Sequence, residues 1–389
     1  FVKYEDVYAT APWTLPSHVS MFTGMYPSEH GIHETREYYP PEIAKLARLR
    51  MAKLNGGILG RLKEEGYALY KITANWIVSD HFGFTTDHEY IIDPLSTLLA
   101  TQLDAKLVAK SYELGSPWRV ALELIKNHEI LLLFHGFKGY INRNIHIIPK
   151  YFSHNTVKNK GGRKIVKMLR NLKLATPFFL FINIMEAHDP YNNLLAERHR
   201  SRYIGEWLAT GRVNPKALKL WRNYPAHAQE AVKRALEAVE VLKTRGFWDN
   251  TLIIVTSDHG ELLGDDGLYH IYSLLDGNLR VPLYVKYPGK PKRQRDFITL
   301  ADLPRLIDPS AEEVGRPLVM AETFGISHAP IVLGLEAEER FFHHKIRIIG
   351  RKVDFIYDAT AGAVELVLRG NKEDVTKLLE TAGPSSATI

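Results

Sequence analysis

The stretch "TLIIVTSDHGELLGDDGLYH" (Thr251–His270) joins a short apolar run to six metal-capable side chains. Asp258, His259, Glu261, Asp265, Asp266 and His270 all follow "TLIIV" without a break. Such an apolar run suits a strand covered on both faces, the usual state in a mainly parallel sheet. Open α/β sheets build their sites at the carboxyl ends of strands. Asp258 and His259 are neighbours, so an extended backbone would point them apart. Gly260 supplies the freedom to turn both toward one point. His270 then closes the group. A mixed Asp/His set suits Zn²⁺ or Mn²⁺, whereas Ca²⁺ and Mg²⁺ prefer oxygen donors alone but remain open here. The plainer alternative is that Asp258 caps a helix and His259 packs. Glu261, Asp265 and Asp266 read as solvated loop acids.

Other strand ends carry the same kind of residue. "FFLFINIM" (Phe178–Met185) leads into His188, and "ALYKITAN" (Ala68–Asn75) ends on Asn75. His188 fits either a satisfied loop position or an anion contact, and Asn75 is a candidate substrate-binding side chain. Near the start, "ATAPWTLPSHVSMFTGMYPSEHG" (Ala9–Gly31) opens a helix around Thr14 and Pro16. Free N–H groups at such a terminus hold phosphate or sulfate. Thr14 is either the N-cap or a nucleophile activated by a metal. His18 lies one turn further on the same face and is a candidate to bind the same anion. Trp13 serves packing or substrate contact.

The composition sets wider bounds. A chain of 389 residues at 45% hydrophobic and 24% charged carries a sizeable core in one large α/β domain or two domains. The absence of cysteine excludes disulfides, thiolate metal sites and cysteine nucleophiles. The net charge of +6 suits an anionic substrate. Three glutamines among many Lys, Arg and Glu hint at a thermophile. "EILLLFHGF" (Glu129–Phe137) is far below the ~20 residues of a bilayer span, so no transmembrane segment is expected. A cytoplasmic location is expected, although the chain opens on Phe1 and not Met. "KPKRQR" (Lys290–Arg295) reads as a solvated turn, and no nucleic-acid partner is expected. The oligomeric state is left open.

Strand-like runs alternate with helical ones at Pro41–Glu65, His227–Thr244 and Leu300–Ile307, the pattern of an α/β fold. Val281–Gly289 reads as a further strand. The basic segment 126–173 reads as an insertion or cap. From Phe341 onward, alternation and Gly-containing turns predict a small antiparallel sheet closed by a helix at Lys372–Thr381. The expected division is 1–335 and 336–389.

Taken together, these stretches resemble the sulfatase family of the alkaline-phosphatase-like superfamily. The carriers are "APWTLPSHVSMFTGMYPSEHG", "FINIMEAHDPY", "IIVTSDHGE", "GLYHIYSLLDGNLRVPLYVKYPG" and "FITLADLPRLID", collinear from about Phe1 to Asp308. The resemblance implies a three-layer sandwich with a mainly parallel central sheet and a divalent metal. It places Thr14 at the nucleophile and His18 where an Arg often steadies that nucleophile. Asp258 and His259 fall on metal ligands, and His188 and His270 on contacts to the transferred group. It implies a small anionic sulfate or phosphate ester as substrate. Two departures stand out. Family members that act on sulfate make formylglycine from Cys, or in some cases Ser, and Thr14 cannot become that aldehyde. This leans the chemistry toward phosphoryl esters. The family's opening strand, with its acidic metal ligand, is expected upstream of Phe1, and Asp6 is not assigned in its place. A phosphotransferase acting on a sugar or lipid acceptor, and a non-catalytic binding protein, are the competing readings.

Overall fold

The structure is a computed structural model. It describes residues 1–34, 40–92, 117–127, 129, 159–189, 191, 200–264, 266–326 and 339–382. Most of the basic 126–173 segment, and Asp265, therefore lie outside the described residues.

Three sheets carry the architecture. The first is parallel, in the order His88–Ile91, Ala68–Thr73, Phe178–Asn183. Its strands alternate strictly, which sends side chains to two different cores. Phe179 and Phe181 pack with Leu15, Val19 and Phe22 of helix α1 (Thr14–Thr23). Leu180 and Ile182 face the opposite way, onto Ile165 and Leu169 of helix Gly162–Asn171 and Val241 and Leu242 of helix Tyr224–Thr244. Helices thus cover both faces of this sheet, as the α/β reading expects. Each fully buried aromatic or aliphatic side chain contributes about 1.5–3 kcal/mol to that packing.

The second sheet differs from the parallel expectation. Ile253–Thr256 pairs antiparallel with Leu283–Lys286, which pairs antiparallel with Val2–Tyr4. Ile253–Thr256 and Phe178–Asn183, whose apolar runs suit strands covered on both faces, are both edge strands among the described residues. Every residue of Phe178–Asn183 is half-buried, as are three of four in Ile253–Thr256. An unbroken apolar run encodes two covered faces, but it does not encode which backbone edge finds a partner.

The third sheet is an antiparallel meander of Leu318–Thr323, Lys345–Gly350, Asp354–Asp358 and Ala363–Arg369. Met320, Ile348 and Phe355 pack with Val375 of the terminal helix Lys372–Ala382, while Val319, Ala321 and Ile349 face the main core. It is larger by one strand than the reading from Phe341 onward, because Leu318–Thr323 joins it from upstream.

Local chemistry explains the remaining differences. The helix expected over Pro41–Glu65 is two helices, Pro40–Lys53 and Ile58–Glu64. Asn55, Gly56 and Gly57 between them all have positive φ, which an α-helix does not admit. Leu300–Ile307 begins as a 3₁₀ turn before becoming helical at Leu303. Among the described residues, no helix is long and apolar enough to cross a membrane.

Candidate active site

Helix α1 brings Thr14 to the site. Trp13 occupies the N-cap position without a side-chain cap bond, so Thr14 is the first helical residue. Pro16 falls in the first turn, where its missing N–H costs nothing. Gly24 ends the helix in the left-handed conformation, donating its N–H to Ser20 O at 2.8 Å. Every residue from Thr14 to Phe22 is buried. The other half of the site hangs from the carboxyl end of Ile253–Thr256. Here Gly260 is needed less for backbone freedom than for space. A Cβ on it would lie 2.1 Å from Gly277 O, and its N–H donates to Asn278 O at 2.7 Å.

The two halves meet. Thr14 Oγ1 lies 3.4 Å from His259 Nε2. His259 Nε2 lies 3.5 Å from Asp258 Oδ2, and His18 Nδ1 lies 3.5 Å from the same oxygen. His18 Nδ1 donates to Thr14 O at 2.8 Å, tying the first turn together. Ser17 Oγ donates to Asp258 O at 2.6 Å, fastening the helix to the metal-type loop. His270 follows, its ring centroid 4.7 Å from that of His259, and His188 lies 5.5 Å from His270. Six of the seven residues singled out from sequence are therefore gathered in one place. Asn75 has a different attachment. Its amide oxygen accepts from Ile77 N at 3.0 Å and caps the turn Trp76–Val78. Asp6 is paired with Arg280 at 2.9 Å.

Electrostatics sharpen the group. Burial works against the Asp258 carboxylate, but His259 and His18 beside it hold its pKa down at about 2. Its side chain remains 22% exposed, so the charged oxygen still faces solvent. Burial pushes His18 below the usual imidazole range, against the pull of Asp258. Burial does the same to His188. His270 is pushed well below that range by burial, reinforced by His259 and His188.

Three contributors were not read from sequence. Glu261, taken for a solvated acid, is 8% exposed and accepts from Tyr191 Oη at 3.0 Å and His270 Nδ1 at 3.1 Å. Only "DPY" lying near "DHGE" in space could have signalled this, and the two are some seventy positions apart. Asp189 lies against His188 and forms an ion pair with Arg200. Ser17 looked like an ordinary helix residue. Asp266 is exposed, as expected of a loop acid.

The donor set fits a divalent cation at Asp258 and His259. The carboxylate is ionised, and His259 Nδ1 donates to Gly260 O at 2.8 Å, which leaves Nε2 its lone pair.

The sulfatase family model matches residues 2–305. An ulvan-active sulfatase of Formosa agariphila is 26% identical over 180 residues, 44% of this chain and 32% of that protein. A choline-sulfatase of Rhizobium meliloti is 36% identical over 126 residues, 30% of this chain and 23% of that protein. The matched segments thus span about a third or less of these relatives' lengths. A phosphonate monoester hydrolase of Agrobacterium radiobacter shares the fold at a TM-score of 0.55 and 15% identity, covering 94% of this chain and 81% of that structure. With the family model matching most of its length, the chain belongs to the sulfatase family.

Proposed function

We propose that the chain is a hydrolase of sulfate or phosphate esters that uses Thr14 as nucleophile and a divalent cation at Asp258 and His259. The observation that carries this reading is the approach of Thr14 Oγ1 to His259 Nε2 at 3.4 Å, across 245 positions of sequence. A separation well over 10 Å would have ended it. Family membership supports the ester class, and Asp258 with His259 supplies a carboxylate and an imidazole lone pair suited to Zn²⁺ or Mn²⁺. A cation held there lowers the proton affinity of oxygens near it and neutralises charge on the ester.

The chain's own residues do the rest. Thr14 Oγ gives up its proton and forms a bond to sulfur or phosphorus. The ester's leaving oxygen departs as an alcohol, taking a proton. Water then breaks the threonine ester, releasing sulfate or phosphate and restoring the hydroxyl. The uncapped amides at the start of α1 face the developing negative charge. His18 orients Thr14 by holding its carbonyl, and Ser17 fixes the distance to the Asp258 loop. His188 and His270 border the group being transferred.

An aryl sulfate, phosphate mono- and diesters and a phosphonate, each assayed with Mn²⁺, Zn²⁺ or Ca²⁺, test the reading. We expect turnover of at least one ester class, retained by Thr14→Ser and lost by Thr14→Ala. Wild-type turnover by the folded alanine variant would remove Thr14 from the mechanism.

A further inference from the structure

The two outer strands of the C-terminal sheet are opposite in character. Leu318–Thr323 is buried from Val319 onward, and Glu322 N reaches across to Thr10 O at 2.8 Å. Ala363–Arg369, "AVELVLR", is exposed at every residue. Among the described residues no strand pairs with its outer edge. Val364, Leu366, Val367 and Leu368 are 39% to 44% exposed, so four large apolar side chains stand in water within five positions.

These apolar groups wrap the edge. Val364 and Val367 stand opposite Tyr357 and Phe355, on the face that packs with the terminal helix. Leu366 stands opposite Ile356, which faces the main core. Neither core extends far enough to cover them. A long bare edge is a template for a further strand, and folded proteins usually guard it with Lys, Pro or inward charge. This strand contains neither Lys nor Pro. Two register shifts in its pairing with Asp354–Asp358 add twist without covering the apolar groups. Its charges are Glu365 and Arg369, which leave no net charge to hold copies apart. Glu365 Oε1 accepts from Lys345 Nζ at 2.8 Å, and Arg369 Nη1 donates to Gly350 O at 2.9 Å. The acid and the base are thereby held at separate points along the strand.

We propose that Ala363–Arg369 is the surface through which two copies of this chain associate, edge to edge and antiparallel. A symmetric pairing centred on Val367 sets Glu365 across from Arg369 of the second copy, and Leu366 across from Leu368. A parallel pairing would set like charges side by side. The charge pattern thus selects one direction, and the strand carries its own complement. Pairing joins the two sheets into one and withdraws apolar side chains of both copies from water. Thr14, Asp258 and His259 lie on other elements, so association is separable from ester cleavage.

The test is sedimentation equilibrium of the full chain over a concentration series. The mass should rise from monomer to dimer. Leu366→Lys combined with Leu368→Lys should raise the dissociation constant at least ~10-fold, with circular dichroism unchanged. A chain that stays monomeric throughout overturns the proposal, as does a dimer indifferent to the two lysines. Should the lysine variant fail to fold, Val367→Cys decides, because the chain has no other cysteine. Directly opposed residues of antiparallel strands stand about 4.5–5.5 Å apart at Cα, within disulfide reach. Mild oxidation should link Val367→Cys chains into dimers and leave Arg293→Cys chains, altered at an exposed position elsewhere, largely unlinked. Equal linking of the two variants, or none at position 367, overturns the assignment.

Discussion

Two charged clusters in this molecule are built to opposite rules. In the C-terminal sheet, Arg347 is 2% exposed and is closed on every side. Its Nε and Nη2 donate to the two oxygens of Asp354 at 2.8 Å each, and Nη1 donates to Leu274 O at 3.0 Å and pairs with Asp276 at 2.7 Å. Lys71 is similarly enclosed, by Asp80 at 2.7 Å and Glu89 at 2.9 Å. The cluster around Thr14 is buried to a comparable degree but left open. Three imidazole rings spend Nδ1 on an acceptor and keep a lone pair on Nε2. Burial of charge costs free energy in both places. In the first it is offset internally. In the second the offset is left to something that binds, and that difference separates a structural cluster from a functional one.

Variants can break this contrast. The largest expected effect is on turnover. Thr14→Ala should lower kcat by at least ~10³-fold, with a thermal melt near that of the parent. A melt displaced as far as the activity would instead assign Thr14 to stability. Next comes the closed cluster. Asp354→Ala leaves Arg347 buried against one fewer carboxylate and should cost about 3–5 kcal/mol, seen in chemical denaturation, while the ester activity of the folded fraction holds. Loss of activity without loss of stability would erase the distinction.

Glu34 gives a smaller effect with a sign fixed by pH. It is 5% exposed, and burial pushes its pKa up to about 8. The folded chain therefore holds this proton more tightly than the unfolded chain does. The group favours folding below its unfolded pKa, near 4.5, and loses that favour as pH rises to about 8. Glu34→Gln should be more stable than the parent by about 2–4 kcal/mol at pH 8, with the gap closing by pH 4.5. A gap independent of pH would show that the carboxyl titrates normally. Smallest of all is a surface control. Arg293 pairs with Glu313 but is 78% exposed. Arg293→Ala should change stability by less than about 1 kcal/mol, and less still in high salt.

Much of the site was legible because its signals are local. "TLPSH" places Thr14 and His18 one turn apart, and "TSDHG" places two donors at a strand end. The alternation that sent Phe181 and Ile182 to opposite cores was equally open to reading. What escaped depends on distant pairing. Nothing around Glu261 reveals Tyr191 and Trp221, so a buried acceptor looked like a solvated acid. Nothing in "TLIIV" reveals that its strand takes antiparallel Leu283–Lys286 as partner and leaves its other edge free among the described residues. The break at Asn55–Gly57 was visible in principle, since Asn-Gly-Gly interrupts any helical pattern. There the apolar periodicity on both sides outweighed it.

Helix α1 has a consequence for how the protein fails on heating. Sites assembled from surface loops open cheaply and lose function well before the chain melts. Thr14 is instead fixed to a helix buried from Thr14 to Phe22, packed on Phe181 and pinned by Ser17 to Asp258. The temperature of half-inactivation should therefore coincide with the midpoint of global unfolding, and catalytic competence becomes a direct readout of whether the main core is intact.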